Sequence, residues 1–303
     1  MTNVSLNGIY PAIVTPLTAD GEIDTCVAEK LLARLLEAGA DGVYAAGSTG
    51  EGMKLSLARR RKLIECLAAH FPKGKKLLVH VGAETVDDAI GLARHAASAG
   101  AHAVSSLPPL KSFPQVLEYY NRLAQESTLP LIVYYFPEAC PRVFERPEEL
   151  EQVCQLPNVS AVKFTDYNLF RLSLLRKAGT AVFNGRDEVL AAGLLMGADG
   201  GIGSTYNLAP DLFVKLYRCT QRGDWAQARQ IQAAISSFIA VLIRYPFLPA
   251  LKAVLGQWGF ACGPALNGQR FSGPEQQQLF LNEFNAALRS AELQTRASCE
   301  FIA

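Results

Sequence analysis

One short joint between a helix and a strand occurs three times along the chain, and it limits the folds that this sequence can adopt. The three copies are Ala38–Val43, Ala99–Val104 and Met196–Ile202. In each copy a glycine that can take the left-handed conformation follows a helical pattern, and a short apolar strand pattern comes next. Repeated joints of this kind are what a series of parallel strand–helix–strand units requires.

The same alternation of strands and helices continues to about residue 225 and gives eight units, the first opening with a strand over Ile9–Leu17. Eight units close a (β/α)8 TIM barrel, an α/β fold. A doubly wound open sheet is the alternative, but no Gly-x-Gly-x-x-Gly follows the first strand. Helical patterns alone follow, the last over Pro274–Leu293. We expect a barrel domain over residues 1–225, a C-terminal helical appendage over 226–296 and a tail over 297–303.

Composition excludes several classes of protein. Half of the 303 residues are hydrophobic, 19% are charged and the net charge is +1, so a nucleic-acid partner is not expected. The start, Met1–Ser5, lacks a signal-peptide pattern, and no apolar run reaches the roughly 18 residues of a membrane helix. Seven scattered cysteines are typical of reduced thiols in the cytoplasm, and four unpaired histidines give no support for a metal.

A lysine stands at the end of an apolar strand pattern, and it is the residue most suggestive of chemistry. The pattern covers Val159–Phe164, with Lys163 next to last and Thr165-Asp166 in the turn that follows. Burying a charged amine costs several kcal/mol unless it is paired or loses its proton, and a free amine can attack a carbonyl. The alternative is a lysine that extends out of the strand end to solvent.

Two other strand ends carry polar or aromatic groups that could act beside this lysine. Gly47–Glu51 combines two glycines with two hydroxyls at a strand-to-helix turn, which could hold a carboxylate or be a plain tight turn. The fifth strand ends in Tyr134 and Tyr135, of which alternation points one inward. We expect Tyr135 to face inward and relay protons, and Tyr134 to pack in the core.

The last two strand ends could bind the rest of a substrate. Asn184–Glu188 has two adjacent acids that could cap a helix or accept hydrogen bonds from a polyol. Gly201–Thr205 is another glycine turn with hydroxyls, in the region where barrels often bind phosphate.

Together these loops resemble a known family. Gly47–Glu51, Tyr135–Pro137 and Lys163 are similar to the signature of the class I pyruvate-dependent aldolases, the N-acetylneuraminate lyase and dihydrodipicolinate synthase superfamily. The similarity runs from about residue 8 through the C-terminal helices, and the 28-residue interval from Tyr135 to Lys163 matches that of the family. Lys163–Asp166, Asn184–Glu188 and the segment 200–207 resemble the N-acetylneuraminate lyase branch.

The resemblance implies an enzyme that cleaves N-acetylneuraminate reversibly to pyruvate and N-acetylmannosamine, without a metal or cofactor, as a homotetramer. It implies that Lys163 forms a Schiff base with pyruvate and that Tyr135 relays the proton. The residues implied to bind substrate are Ser48 and Thr49 for the pyruvate carboxylate, and Thr165, Gly185, Asp187, Glu188 and Ser204 for the sugar part.

Other functions stay open at this point. The same imine chemistry could act on another 2-keto-3-deoxy sugar acid, or the barrel could bind a sugar acid without turnover. Dihydrodipicolinate synthases carry an arginine five residues beyond the tyrosine, where this chain has Cys140. The loop after the fourth strand, Ser105–Phe113, has no tyrosine, whereas relatives often place an aromatic residue there that reaches the active site. A water or a hydroxyl of Ser48 or Thr49 could replace it.

Overall fold

Eight parallel strands form a nearly closed barrel in the computed structural model, which describes residues 6–109 and 111–300, the last five by their backbone alone. The predicted TIM barrel is confirmed. The strands are β1 Gly8–Pro11, β2 Gly42–Ala45, β3 Lys76–His80, β4 Ala103–Ser106, β5 Leu131–Tyr135, β6 Val159–Phe164, β7 Ala181–Asn184 and β8 Gly200–Gly203.

Strand order explains how the sheet closes. Each strand pairs with its neighbours in sequence from β2 to β8, and β8 pairs with β1. A bridge between Ala12 and Tyr44 joins β1 to β2, where the Ile13 amide donates to the Tyr44 carbonyl at 3.0 Å. All eight carboxyl ends therefore meet at one mouth of the barrel.

Helices cover the outside of the barrel, and three further helices follow it. The glycines of the three repeated joints, Gly39, Gly100 and Gly197, have φ of 96°, 95° and 100°, so the predicted left-handed caps are confirmed. The helices are α1 Thr25–Glu37, α2 Leu57–Ala69, α3 Val86–Ala99, α4 Phe113–Glu126, α5 Pro147–Cys154, α6 Leu169–Lys177, α7 Leu190–Leu195, α8 Pro210–Gln221, α9 Trp225–Leu242, α10 Phe247–Gln257 and α11 Pro274–Glu300.

Two apolar layers hold this arrangement together, because strand side chains alternate between the two faces of the sheet. The larger layer lies between strands and helices and continues into α9, α10 and α11. The smaller layer fills the barrel and includes Tyr10, Tyr44, Ile132, Ala161 and Phe183. Side chains inside the barrel at its carboxyl end thus form the floor of whatever site lies there.

The structure differs from the predicted bounds at both ends. The first strand ends at Pro11 rather than Leu17. The Ala12 amide still donates to the Gly203 carbonyl of β8, but the next amide, that of Ile13, donates to Tyr44 of β2, so the regular pairing with β8 does not continue. The last helix continues to Glu300, beyond the predicted end at Leu293 and the domain boundary at 296. Residues 301–303 of the predicted tail, and the start 1–5, lie outside the described residues.

Helix length bears on the membrane question. None of the described helices is by itself long and apolar enough to cross a membrane. Only α9 and α10 taken together pass on length and composition, and the pair is bent by 109°.

Candidate active site

A cavity of about 610 Å³ opens at the carboxyl ends of the strands. Loops after β2, β6, β7 and β8 form most of its wall, and helices α9 and α10 complete it. Eight of the nine residues predicted from the sequence line this cavity. They are Ser48, Thr49, Lys163, Thr165, Gly185, Asp187, Glu188 and Ser204.

Lys163 lies inside the barrel rather than extending to solvent, since it is only 4% exposed. Its Nζ is 3.9 Å from the centroid of the Tyr134 ring and 4.5 Å from that of Tyr44. In the part of the chain that the structure describes, no carboxylate oxygen lies within 4 Å of this Nζ. No ion pair has to break before the amine can attack a carbonyl.

Tyr134, not Tyr135, is the phenol that faces the lysine, so the prediction for these two tyrosines is wrong. Tyr134 pairs in register with Lys163 across β5 and β6, at an interval of 29 residues rather than 28. Its hydroxyl lies 3.4 Å from Ser48 Oγ, and its ring packs edge-on against His80. Alternation then turns Tyr135 outward, away from the cavity.

Tyr135 is instead fixed in the layer between the barrel and its helices. Its hydroxyl donates to Asp166 Oδ2 at 3.1 Å and accepts from Arg171 Nη1 at 2.8 Å. Its ring stacks on Phe164 with 5.0 Å between centroids, and burial raises its pKa to about 12. These contacts describe a structural residue.

A second phenol, Tyr44, lies beside the lysine, but its hydroxyl is already engaged. It is fully buried and donates to Ser105 Oγ at 3.0 Å. Burial raises the pKa of Tyr44 well above its ordinary value, so the phenol keeps its proton at neutral pH. The hydroxyl that lies next to Tyr134 belongs to Ser48.

The turn that presents Ser48 and Thr49 is joined to the opposite side of the cavity. Ser48 is exposed to solvent, whereas Thr49 is buried and its Oγ1 lies 2.6 Å from Ser204 Oγ. Thr15 Oγ1 donates to the Gly50 carbonyl at 2.6 Å and fixes the turn from the neighbouring loop. Two hydroxyls and a glycine turn thus lie near the lysine, as an anion site needs.

Asp187 is a buried carboxylate with one oxygen that lacks a hydrogen-bond donor. Its Oδ2 accepts from the Thr205 amide at 2.7 Å and from Thr205 Oγ1 at 2.6 Å. Its Oδ1 is buried and has no hydrogen-bond partner among the described residues, and the same holds for Thr165 Oγ1. Burial raises the pKa of Asp187 to about 6. Both oxygens thus keep an unused capacity to accept a hydrogen bond.

A cation at the rim was missed by the sequence reasoning. The Arg186 guanidinium lies 4.4 Å from the Tyr167 ring centroid and 5.5 Å from that of Phe136, and it pairs with Glu138. The Tyr167 hydroxyl donates to Glu188. Arg186 stands inside the Asn184–Glu188 segment, so the sequence does show a cation at this strand end, beside the two acids from which a role was predicted.

The wall supplied by the C-terminal helices was also missed. No local sequence pattern predicts this wall, because its residues reach the mouth of the barrel only when the chain has folded. They are Ser236, Ile239, Ala240 and Ile243 at the end of α9, and Phe247 and Leu248 at the start of α10.

The described ranges contain no group of three or more histidine, cysteine, aspartate or glutamate side chains that could hold a metal ion.

Comparison with known proteins gives consistent matches. Residues 5–268 match the model of the dihydrodipicolinate synthetase family. An N-acetylneuraminate lyase of Rhizobium meliloti (strain 1021) is 40% identical over 86% of this chain and 89% of its own. A solved Proteus mirabilis N-acetylneuraminate lyase is 28% identical with a TM-score of 0.85, covering 93% of this chain and 98% of its own. The Ruminococcus gnavus sialic acid aldolase shares the fold, with a TM-score of 0.89 and 24% identity. The match covers 95% of this chain and 99% of the aldolase.

Proposed function

Because the chain belongs to the dihydrodipicolinate synthetase family, we propose that it is an N-acetylneuraminate lyase, a carbon–carbon lyase that reversibly cleaves N-acetylneuraminate to pyruvate and N-acetylmannosamine. The relatives that carry this name support the substrate. The observation that carries the reaction type is the buried Lys163 amine beside the Tyr134 phenol, without a carboxylate partner.

Lys163 is the proposed Schiff-base residue. Its nitrogen lone pair forms a bond to the C2 keto carbon of the substrate, and the carbonyl oxygen leaves as water after taking up protons. The result is a protonated imine between Nζ and C2. The Tyr134 and Tyr44 rings pack against the amine and hold it in place at the cavity floor.

Cleavage then breaks the bond between C3 and C4. Its electron pair forms a C2–C3 double bond as the imine nitrogen takes up the C2–N π electrons, which gives an enamine rather than a free carbanion. The C4 hydroxyl loses its proton and C4 becomes the aldehyde of N-acetylmannosamine. We assign the movement of that proton to Tyr134, assisted by Ser48 Oγ 3.4 Å away. Protonation at C3 and hydrolysis of the imine release pyruvate.

Binding of the rest of the substrate divides between two sides of the cavity. Ser48 and Thr49 are proposed to hold the carboxylate of the keto acid, beside the lysine. The polyol and N-acetyl part lies against the opposite side, at Thr165, Gly185, Asp187, Glu188 and Ser204. The free oxygens of Asp187 and Thr165 support this assignment.

The dihydrodipicolinate synthase reaction is less well supported. Counted from Tyr134, the position of the arginine carried by those synthases is Ala139 rather than Cys140, and neither residue can bind a carboxylate by charge. Cys140 is buried and its pKa is raised to about 11 by burial, so the thiol stays protonated at neutral pH.

Pyruvate release from N-acetylneuraminate, by the wild type and by Lys163→Ala, tests the proposal. Borohydride in the presence of pyruvate should add mass at Lys163 in the wild type. Lys215→Ala is a matched control, because Lys215 does not line the cavity and its Nζ donates to the Thr295 carbonyl of α11. An unmodified Lys163, under conditions that trap a known aldolase, would refute the reaction.

The same assay separates the remaining alternatives. Faster cleavage of 2-keto-3-deoxygluconate than of N-acetylneuraminate would indicate a different sugar acid. Tight binding of either acid without turnover would indicate a barrel that only binds its ligand.

We also propose that the enzyme is a cytoplasmic homotetramer. Helices α6 and α7 each leave large apolar side chains in solvent, with Phe170 68% and Leu195 64% exposed, which supports contact with further copies of the chain. The structure describes the side chains of six cysteines, and none of them forms a disulfide, as in a reducing compartment. Sedimentation of the wild type and of Leu195→Glu tests the assembly, and a monomeric wild type would contradict it.

A further inference from the structure

The turn proposed to grip the keto acid carboxylate is flanked by two strained residues. Ala46 and Glu51 have φ of 55° and 52°, in the left-handed region that residues with a Cβ rarely adopt. They stand on either side of Ser48 and Thr49. Such conformations persist only where surrounding contacts hold them. The position of the two hydroxyls therefore depends on whatever fixes the end of this turn.

Glu51 is fixed by the C-terminal part of the chain. Its side chain is 3% exposed, and Lys252 Nζ, itself in a side chain 5% exposed, lies 3.0 Å from Oε2. Glu51 Oε1 accepts from the amides of Leu266 at 2.6 Å and Asn267 at 3.0 Å. Lys252 also donates to the Pro264 carbonyl at 2.7 Å. One buried ion pair thus joins the turn, helix α10 and the segment that follows α10.

The same segment is also attached to the first loop of the barrel. The Leu17 amide donates to the Cys262 carbonyl at 3.1 Å. A Cβ at Gly263, whose φ is 66°, would collide with the Leu17 carbonyl. The segment following α10 is therefore held against two barrel loops, and its amides bind Glu51 in the second of them.

We propose that Lys252 and Glu51 are positioning residues that hold Ser48 and Thr49 where they bind the carboxylate of the keto acid. This inference rests on the proposed function. Neither side chain lines the cavity, so each acts through the backbone of the turn. A buried ion pair missing one partner leaves an uncompensated charge, and the turn is then free to leave its strained conformation.

A purely structural role makes a different prediction from a positioning role. If the pair only stabilises the fold, its loss should slow imine formation with every carbonyl compound alike. If it positions the turn, the loss should fall on compounds that carry a carboxylate. Pyruvate and acetone provide the comparison, because acetone is a ketone without a carboxylate and needs only the Lys163 amine.

The experiment measures the rate at which borohydride traps each compound at Lys163, followed by peptide mass. Lys252→Met should lower the rate with pyruvate about 10- to 100-fold, a loss typical of a misplaced binding group, and leave the rate with acetone within about twofold. Lys252→Arg keeps the charge and should restore much of the preference for pyruvate. Lys215→Met removes a lysine that contacts α11 elsewhere and should change neither rate.

Glu51→Gln provides a second variant in case Lys252→Met does not fold. The amide can still accept from Leu266 and Asn267 while the ion pair is lost, and the same selective loss with pyruvate is expected. Equal losses with pyruvate and acetone, or none, in a folded variant would overturn the positioning role. A wild type that traps no pyruvate at Lys163 would instead overturn the proposed function.

Discussion

Asp187→Asn is expected to stabilise the protein while weakening its binding of the sugar acid. Burial raises the pKa of Asp187 from 3.8 to about 6, so the native state holds this proton more tightly than the unfolded chain. Stability is therefore gained at low pH and is lost as the pH rises through about 6. The full shift corresponds to about 3 kcal/mol at pH 8, since one pKa unit is worth about 1.4 kcal/mol.

The part of this effect that depends on pH is the sharper test. Ionisation of the buried Asp187 lowers the free energy of unfolding, and at pH 5 a little over half of this loss is already present. The remainder, about 1.4 kcal/mol, is added between pH 5 and pH 8. Asparagine at this position does not titrate, and its carbonyl oxygen can still accept from Thr205. The advantage of Asp187→Asn over the wild type should therefore grow by about that amount across this range.

Urea unfolding at pH 5 and pH 8, followed by circular dichroism, measures the difference. Asp211→Asn removes an exposed acid at the start of α8 and serves as the baseline for losing one negative charge. The KM for N-acetylneuraminate should rise in Asp187→Asn, and in the wild type below about pH 6, since a neutral side chain is a weaker acceptor for substrate hydroxyls. A stability difference equal at both pH values, or an unchanged KM, would refute the reasoning.

Three further outcomes follow from the site. Tyr134→Phe should lower kcat by about 100-fold or more, as loss of a proton-transfer group does, whereas Tyr135→Phe should change kcat little; equal losses would contradict the assignment. Gly203→Ala should raise the KM for the sugar acid but not slow borohydride trapping of pyruvate, because its Cβ would collide with Asp187 Oδ1; an unchanged KM would count against Asp187 as a ligand. Dialysis against EDTA should leave the cleavage rate unchanged, and a loss restored by a divalent metal would indicate a metal-dependent aldolase.

The barrel could be predicted because its evidence is local and repeated. The Gly39, Gly100 and Gly197 joints each end a helix and start a strand, and eight such units leave few topologies. The lysine and the strand-end hydroxyls could be found for the same reason, since a parallel barrel brings all carboxyl ends together. The contribution of α9 and α10 could not, because nothing in their apolar pattern distinguishes packing on the barrel wall from lining the cavity.

The choice between Tyr134 and Tyr135 failed for a more specific reason. Both faces of a barrel strand are buried, so β5 lacks the polar alternation that reveals orientation in a half-exposed strand. Ile132 and Val133 precede the tyrosines and are equally apolar, yet one faces the interior and the other the helices. Only the register with β6, where Tyr134 is opposite Lys163, settles which phenol faces the cavity.

The geometry also separates the chemistry from the choice of substrate. Tyr134 contacts both Lys163 and Ser48 at the cavity floor, whereas Asp187 and Thr205 belong to the turns after β7 and β8. Substitutions in separate contact networks usually add in free energy, so changes on the second side should alter substrate preference without altering imine formation. The hydrogen bond between Thr49 and Ser204 joins the two sides. Substitutions at these two residues should therefore have non-additive effects on the binding of the keto acid and of the sugar part.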